Sequence, residues 1–258
     1  MLLYKIQLWF YTKAFFIYTG IYEYRGKKVK VMRVIRKGVS FLVGCSLVLM
    51  IIAFFKEVKP MPLIPEEVTA AIGVPYKVQD IHVGNKRPNQ KRKIKYIVIH
   101  NTANSQSTAQ NEVDYLSNAN NTSSTSFHIA VDDHEIIEAI PPTEIAFHAG
   151  TKEGNQYGIG IEICESGNYE KAEENAAKLV AYLMQYYNIS LDDVKTHQDF
   201  SGKPCPRLIL NHWVHFKQKI ETNYETLQRD SNEISWMEHV KHKIEKWMKQ
   251  MPLFFHRE

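Results

Sequence analysis

Cysteine is scarce in this chain: there are three in 258 residues, at positions 45, 164 and 205. So few, so widely spaced, exclude a disulfide framework, and a metal-binding or core role is the better expectation for each. Internal repeats and low-complexity tracts are missing as well. Charge of one sign is also in short supply, with 32 Lys and Arg against 28 Asp and Glu and a net charge of +4. Much of the small excess sits before residue 60 and in the run Lys86 to Lys95 rather than on a helix face, so no nucleic-acid partner is expected. With 44% apolar residues the chain is long enough for one well-buried domain plus attachments.

What is present begins with an uncharged apolar run of 18 residues, Gly38 to Phe55, close to the roughly 20 that a helix needs to cross a bilayer. Seven Lys or Arg lie between Arg25 and Lys37, against Lys56 and Lys59 after the run, which predicts a cytoplasmic N-terminus and an outward-facing remainder. A cleaved signal starting at Met32 is the alternative, leading to a secreted protein. No small-x-small cleavage site follows Phe55, which favours an uncleaved single-pass anchor in the cell membrane. Leu42 to Cys45 resembles a lipobox, but the apolar run continues ten residues past the cysteine. Residues 1–31 are rich in Tyr, Phe and Lys without steady periodicity and remain open to reading as an interfacial segment or as a stretch outside the working protein.

Residues 1–37 therefore read as a cytoplasmic basic segment, 38–55 as the transmembrane anchor and 56–77 as a linker stiffened by the prolines of KPMPLIP. A folded domain is expected over 78–221 and a helical extension over 222–258. Tyr96 to His100 and Gly158 to Cys164 read as buried strands, and Phe127 to Val131 with Glu135 to Ile140 as a hairpin. The spacing of Ala172, Ala176, Leu179, Val180, Leu183, Met184 and Tyr187 predicts a helix over 170–187. Further helices are expected near 108–119, 205–220 and 235–250. Strands and helices interleave, which predicts an α/β domain with a central mixed β-sheet flanked by helices.

His100 ends the apolar strand YIVIH where the chain turns polar, an address common to functional groups, although a strand-end histidine is often structural. In THQDFSGKPCP, at 196–206, a Gly, Ser and Pro turn can fold His197 and Cys205 back onto one point. Two imidazoles and a thiolate make a three-ligand zinc set, which leaves the open position that catalytic zinc keeps and structural zinc lacks. The other reading of Cys205 is an ordinary buried thiol. Glu162, between Ile161 and Ile163, points to the face opposite those two side chains, as a base or as half of a buried ion pair.

These segments in their order, YIVIHNTAN at 96–104, SFHIAVDD at 126–133, IAFHAG at 145–150, GIGIEIC at 158–164 and HQDFSGKPCP at 197–206, resemble the type 2 N-acetylmuramoyl-L-alanine amidases. That group shares a fold with the peptidoglycan recognition proteins, and the likeness runs from about Val78 to Ile220. The resemblance implies Zn2+ held by His100, His197 and Cys205, with Glu162 as general base and Lys203 supporting the oxyanion. It implies peptidoglycan as the partner, cut between N-acetylmuramic acid and L-alanine by a monomer. Thr102, Phe127, His128 and His148 are candidates for substrate contact. Some members carry a tyrosine just before the histidine of the second motif; here it is Phe127, which cannot donate a hydrogen bond. Cys164 is expected as a core thiol, and His212 and His215 as packing or surface residues. A non-catalytic peptidoglycan-binding module and a zinc peptidase acting on the stem peptide are the alternatives.

Overall fold

A computed structural model describes residues 61–250. The segment 1–37 and the apolar run 38–55 lie outside the described residues, and among the described residues no helix is long and apolar enough to cross a membrane.

The order of elements is α1 (Pro65–Ile72), β1 (Tyr76–Val78), β2 (Tyr96–Asn101), α2 (Ala109–Ser117), β3 (Ile129–Val131), β4 (Ile136–Glu138), α3 (Lys152–Tyr157), β5 (Gly158–Ile163), α4 (Tyr169–Tyr187), β6 (Val194–Thr196), α5 (His197–Ser201) and α6 (Trp213–Gln250). The strands form a six-stranded sheet in the order β1-β4-β3-β5-β2-β6. The β3–β4 hairpin is antiparallel and the other pairings are parallel, so the sheet is mixed, as expected. Asp132 closes the hairpin, its Oδ1 accepting the N–H groups of His134 and Glu135 at 2.8 Å each.

Alternation along the strands separates structure from chemistry. Ile97 and Ile99 of β2, with Ile159, Ile161 and Ile163 of β5, join the large core under α1, α4 and α6. Leu179 and Leu183 of α4 are fully buried there, and each such side chain contributes about 1.5–3 kcal/mol by leaving water. The opposite face carries Ala130 and Ile137 against Ala109, Val113 and Leu116 of α2. On that face β2 also presents His100 and β5 presents Glu162, because side chains two residues apart share a side of a strand. Cys164 is a free thiol buried in the same smaller cluster.

Two expectations are corrected. The 56–77 linker does not extend past residue 62: Leu63, Val68, Ile72, Val74 and Tyr76 are buried in the large core, and α1 starts at Pro65 where proline's fixed φ suits the first turn. The expected helix over 205–220 begins only at Trp213, since Cys205 and the residues after it form a loop and a short 3-10 turn. Over 222–250 the chain is helical, as the continuation of α6, which runs without a break from Trp213 to Gln250 and packs Phe216, Ile220, Tyr224 and Leu227 on the core.

Candidate metal centre

β2 and β5 pair in register so that His100 lies beside Glu162, and β6 on the other side of β2 leads directly into α5. The turn into α5 is fixed by a capping box: the Thr196 hydroxyl accepts from the Asp199 N–H at 3.1 Å, and the Asp199 carboxylate accepts from the Thr196 N–H at 2.7 Å. His197 is thereby held as the first residue of α5. Gly202 ends this helix with φ of +76°, a conformation that costs glycine little. The chain then returns, and the Gln198 N–H donates to the Cys205 carbonyl at 3.0 Å. Asn101 anchors the far side of this loop, its Oδ1 accepting the Leu208 N–H at 3.0 Å.

The result is a cluster of His100, His197 and Cys205, all buried, whose ligand atoms lie within 4.8 Å of one another. The two Nδ1 atoms are 3.1 Å apart, and the Cys205 sulfur is 3.8 Å from Nδ1 of His100. Tetrahedral zinc with ordinary bond lengths has ligand edges of about 3.3 Å between nitrogens and about 3.6 Å between nitrogen and sulfur. The donor set therefore suits zinc in its chemistry, and the two edges at His100 come close to these lengths. Glu162 adds a carboxylate whose Oε1 is 4.0 Å from Nδ1 of His100 and whose Oε2 is buried without a hydrogen-bond partner. Such an orphaned acceptor calls for water or a ligand proton.

Burial sets the protonation states. It holds His100 well below the usual histidine range, with the charges of His148, His197 and Lys203 acting in the same direction. His197 is lowered by burial and by Lys203. Both imidazoles are thus neutral, the form in which they ligate. Burial pushes the Cys205 thiol up to about 11, against the opposing pull of the Asn101 backbone N–H and of Lys203. A thiol of that kind ligates only when a cation displaces its proton. Burial likewise raises Glu162 to about 8, with Glu112 and Glu165 adding to it and Lys203 opposing.

Residues 90–208 match the family described as N-acetylmuramoyl-L-alanine amidase. Among solved structures, the catalytic domain of XlyA superimposes with a TM-score of 0.55 at 42% identity, over 57% of this chain and 99% of that domain. The chain belongs to this amidase family. It is 44% identical over 158 residues to N-acetylmuramoyl-L-alanine amidase CwlA of Bacillus subtilis (strain 168), covering 58% of this chain and 57% of that protein. It is 47% identical over 135 residues to XlyB of the same organism, covering 49% and 42%. The chain spans about half the length of the curated relatives it matches.

Within this amidase fold the expected residues separate into two groups. His100, His197, Cys205 and Glu162 come together, and Lys203 stands exposed at the rim, near enough for its charge to act on His100, Glu162 and Cys205. Thr102 is partly exposed just past β2, its N–H donating to the Ile163 carbonyl at 3.2 Å. Phe127, His128 and His148, expected at substrate, are interior. Phe127 is 5% exposed and packs with Ile81, Ala109 and Val113. His128 is fully buried, its Nδ1 accepting the Gly160 N–H at 2.9 Å and its Nε2 donating to the Glu144 carbonyl at 3.0 Å. That carbonyl also accepts from Nε of Arg92, a buried guanidinium that sequence reasoning did not single out. His148 is buried against His100. His212 serves packing, donating to Glu173 at 2.9 Å.

Sequence reasoning also passed over the rim pair of Arg207 and Glu165, joined by two hydrogen bonds. Glu165 Oε1 additionally accepts the Ala103 N–H at 3.1 Å, tying together the loops after β2, β5 and Cys205.

Proposed function

We propose that this chain hydrolyses the amide between N-acetylmuramic acid and L-alanine in bacterial peptidoglycan, with zinc held by His100, His197 and Cys205. The observation that carries this reading is the convergence of those three ligand atoms beside the unpartnered Glu162 oxygen, in a member of the amidase family. Zinc at such a site supplies Lewis acidity, which makes water nucleophilic at neutral pH.

The protein's own groups supply the rest. Glu162, raised to about 8 by burial, is the proton carrier: its free oxygen accepts a proton from the attacking water and returns it to the departing alanine nitrogen. Lys203 carries a positive charge at the mouth, where it stabilises charge developing on the carbonyl oxygen. Thr102, partly exposed just past β2, is the remaining candidate for substrate contact. The uncharged run 38–55 supports a single-pass anchor that holds the domain outside the cell, close to the wall.

The test is mass spectrometry of purified peptidoglycan digested by the full chain in detergent, with and without a zinc chelator. Stem peptides beginning at L-alanine, released only with metal, are the expected products. Cuts inside the peptide would make the protein a zinc peptidase, and intact wall that retains the protein would make it a binding module.

A further inference from the structure

The smaller face of β5 carries glycine at 158 and 160, and the ring of His148 lies against both, filling the space beside Gly160 and sharing that beside Gly158 with Val98 and the Gly154 carbonyl. A Cβ built on Gly160 would stand 2.6 Å from Cγ of His148, and one on Gly158 would stand 3.3 Å from its Cε1. Val98 pairs with Gly160 across to β2, and His100 is the next residue on that face. The two glycines therefore seat the His148 ring directly behind His100, with ring centroids 5.1 Å apart and planes at 89°.

The hydrogen bonds leave one arrangement of protons. His148 Nε2 is 2.9 Å from the Gly158 carbonyl oxygen, which can only accept, so Nε2 carries the hydrogen. A neutral imidazole has one N–H, hence Nδ1 of His148 is an acceptor. It lies 3.0 Å from Nε2 of His100, which must then be the donor. The reverse direction would set a bare Nε2 of His148 against the carbonyl lone pairs. With its hydrogen committed at Nε2, His100 turns the lone pair of Nδ1 towards His197 and Cys205.

We propose that His148 is a positioning residue that locks His100 in the Nε2–H tautomer, so that Nδ1 is a metal donor before any ion arrives. The proposal rests on the zinc reading above. A ligand histidine usually gives its second N–H to a carboxylate, a carbonyl or water; here a second imidazole stands between the ligand and the backbone carbonyl. The relay passes the fixed direction of a β5 carbonyl to the metal position through two rings.

The experiment combines zinc affinity with a direct reading of the tautomer. Zinc affinity of the full chain is measured by competition with a chromophoric chelator for wild type, His148→Leu and His148→Asn. Loss of the acceptor in His148→Leu is expected to weaken zinc about 10- to 100-fold. His148→Asn, whose Oδ1 can take the place of Nδ1, is expected to recover most of it. Long-range 1H–15N spectra of the wild-type apoprotein are expected to show His100 protonated at Nε2. Equal zinc affinity in His148→Leu, a loss that asparagine does not recover, or a wild-type His100 protonated at Nδ1 would each overturn the proposal. Should His148→Leu fail to fold, the wild-type tautomer decides alone. A wild-type protein that binds no zinc would instead sink the metal reading on which this rests.

Discussion

Glu162 and His100 are paired across β5 and β2, with the carboxylate Oε1 4.0 Å from the imidazole Nδ1 while the other carboxylate oxygen has no partner. A buried acid left without a hydrogen-bond partner beside a candidate metal ligand is costly to the fold unless the site uses it. Because the side chain makes no hydrogen bond that holds the domain together, its amide replacement should be tolerated. Glu162→Gln is expected to keep the melting temperature and zinc affinity of wild type while turnover of peptidoglycan falls about 100- to 10,000-fold. Turnover within a few-fold of wild type would remove Glu162 from proton transfer.

Cys205 tests the ligand set. Its thiol is raised to about 11 by burial, so it is a neutral, small, apolar group until a cation takes its proton. Cys205→Ser changes little in shape and should leave the circular dichroism spectrum unchanged. Bound zinc, measured by elemental analysis after dialysis, is expected to be lost together with activity. Zinc retained at full occupancy by an inactive variant would show that the sulfur is not a ligand.

The legibility of this chain followed its periodicities. The helix expected over 170–187 forms at Tyr169–Tyr187, and the two isoleucine-rich strands form where alternation and β-branching place them. The same alternation put Glu162 opposite Ile161 and Ile163, where it is found. What stayed hidden depends on long-range packing. His128 and His148 look alike in sequence to surface histidines, and only the seating of their rings over β5 reveals their interior roles. The Gly158 and Gly160 pair was the available signal, since glycine inside a strand marks close approach of another group. The linker expectation fails past residue 62 because a proline-rich approach masks a helix of only eight residues, Pro65–Ile72, whose apolar positions Val68 and Ile72 are too few to stand out.

Glu138 gives the domain a pH dependence remote from the metal centre. Burial raises its carboxyl to about 7, against the lowering effect of the Tyr76 hydroxyl that donates to it. Between its ordinary value of 4.5 and about 7, the folded chain therefore holds a proton that the unfolded chain has released. Stability from this group is fully present below that window, falls as pH rises through it, and is level above. The penalty at pH 7.5 amounts to at most about 3 kcal/mol, at 1.36 kcal/mol per unit. Glu138→Gln, which can still accept from Tyr76, should be more stable than wild type in urea at pH 7.5 and no more stable at pH 4. A difference that does not vary with pH would rule out Glu138 as the source.

Gly160→Ala joins fold and site in one substitution. The added methyl would meet His148 ring atoms at 2.6 and 2.8 Å, closer than real carbon contacts allow. The ring is 5% exposed and held by hydrogen bonds to Gly158 and His100, so it cannot swing into solvent. Either β5 shifts away from it or the ring tilts, and overpacking of this kind costs about 1–3 kcal/mol. The tilt also moves the acceptor that His100 uses, so zinc affinity should fall along with the melting temperature. Gly84→Ala is the matched control, because a Cβ there meets nothing within 4 Å. If both variants melt and bind zinc like wild type, the space behind His100 is looser than the close approach of β5 to His148 implies. If Gly160→Ala alone loses stability but binds zinc normally, the glycine serves packing and the ring has room to keep its hydrogen bond.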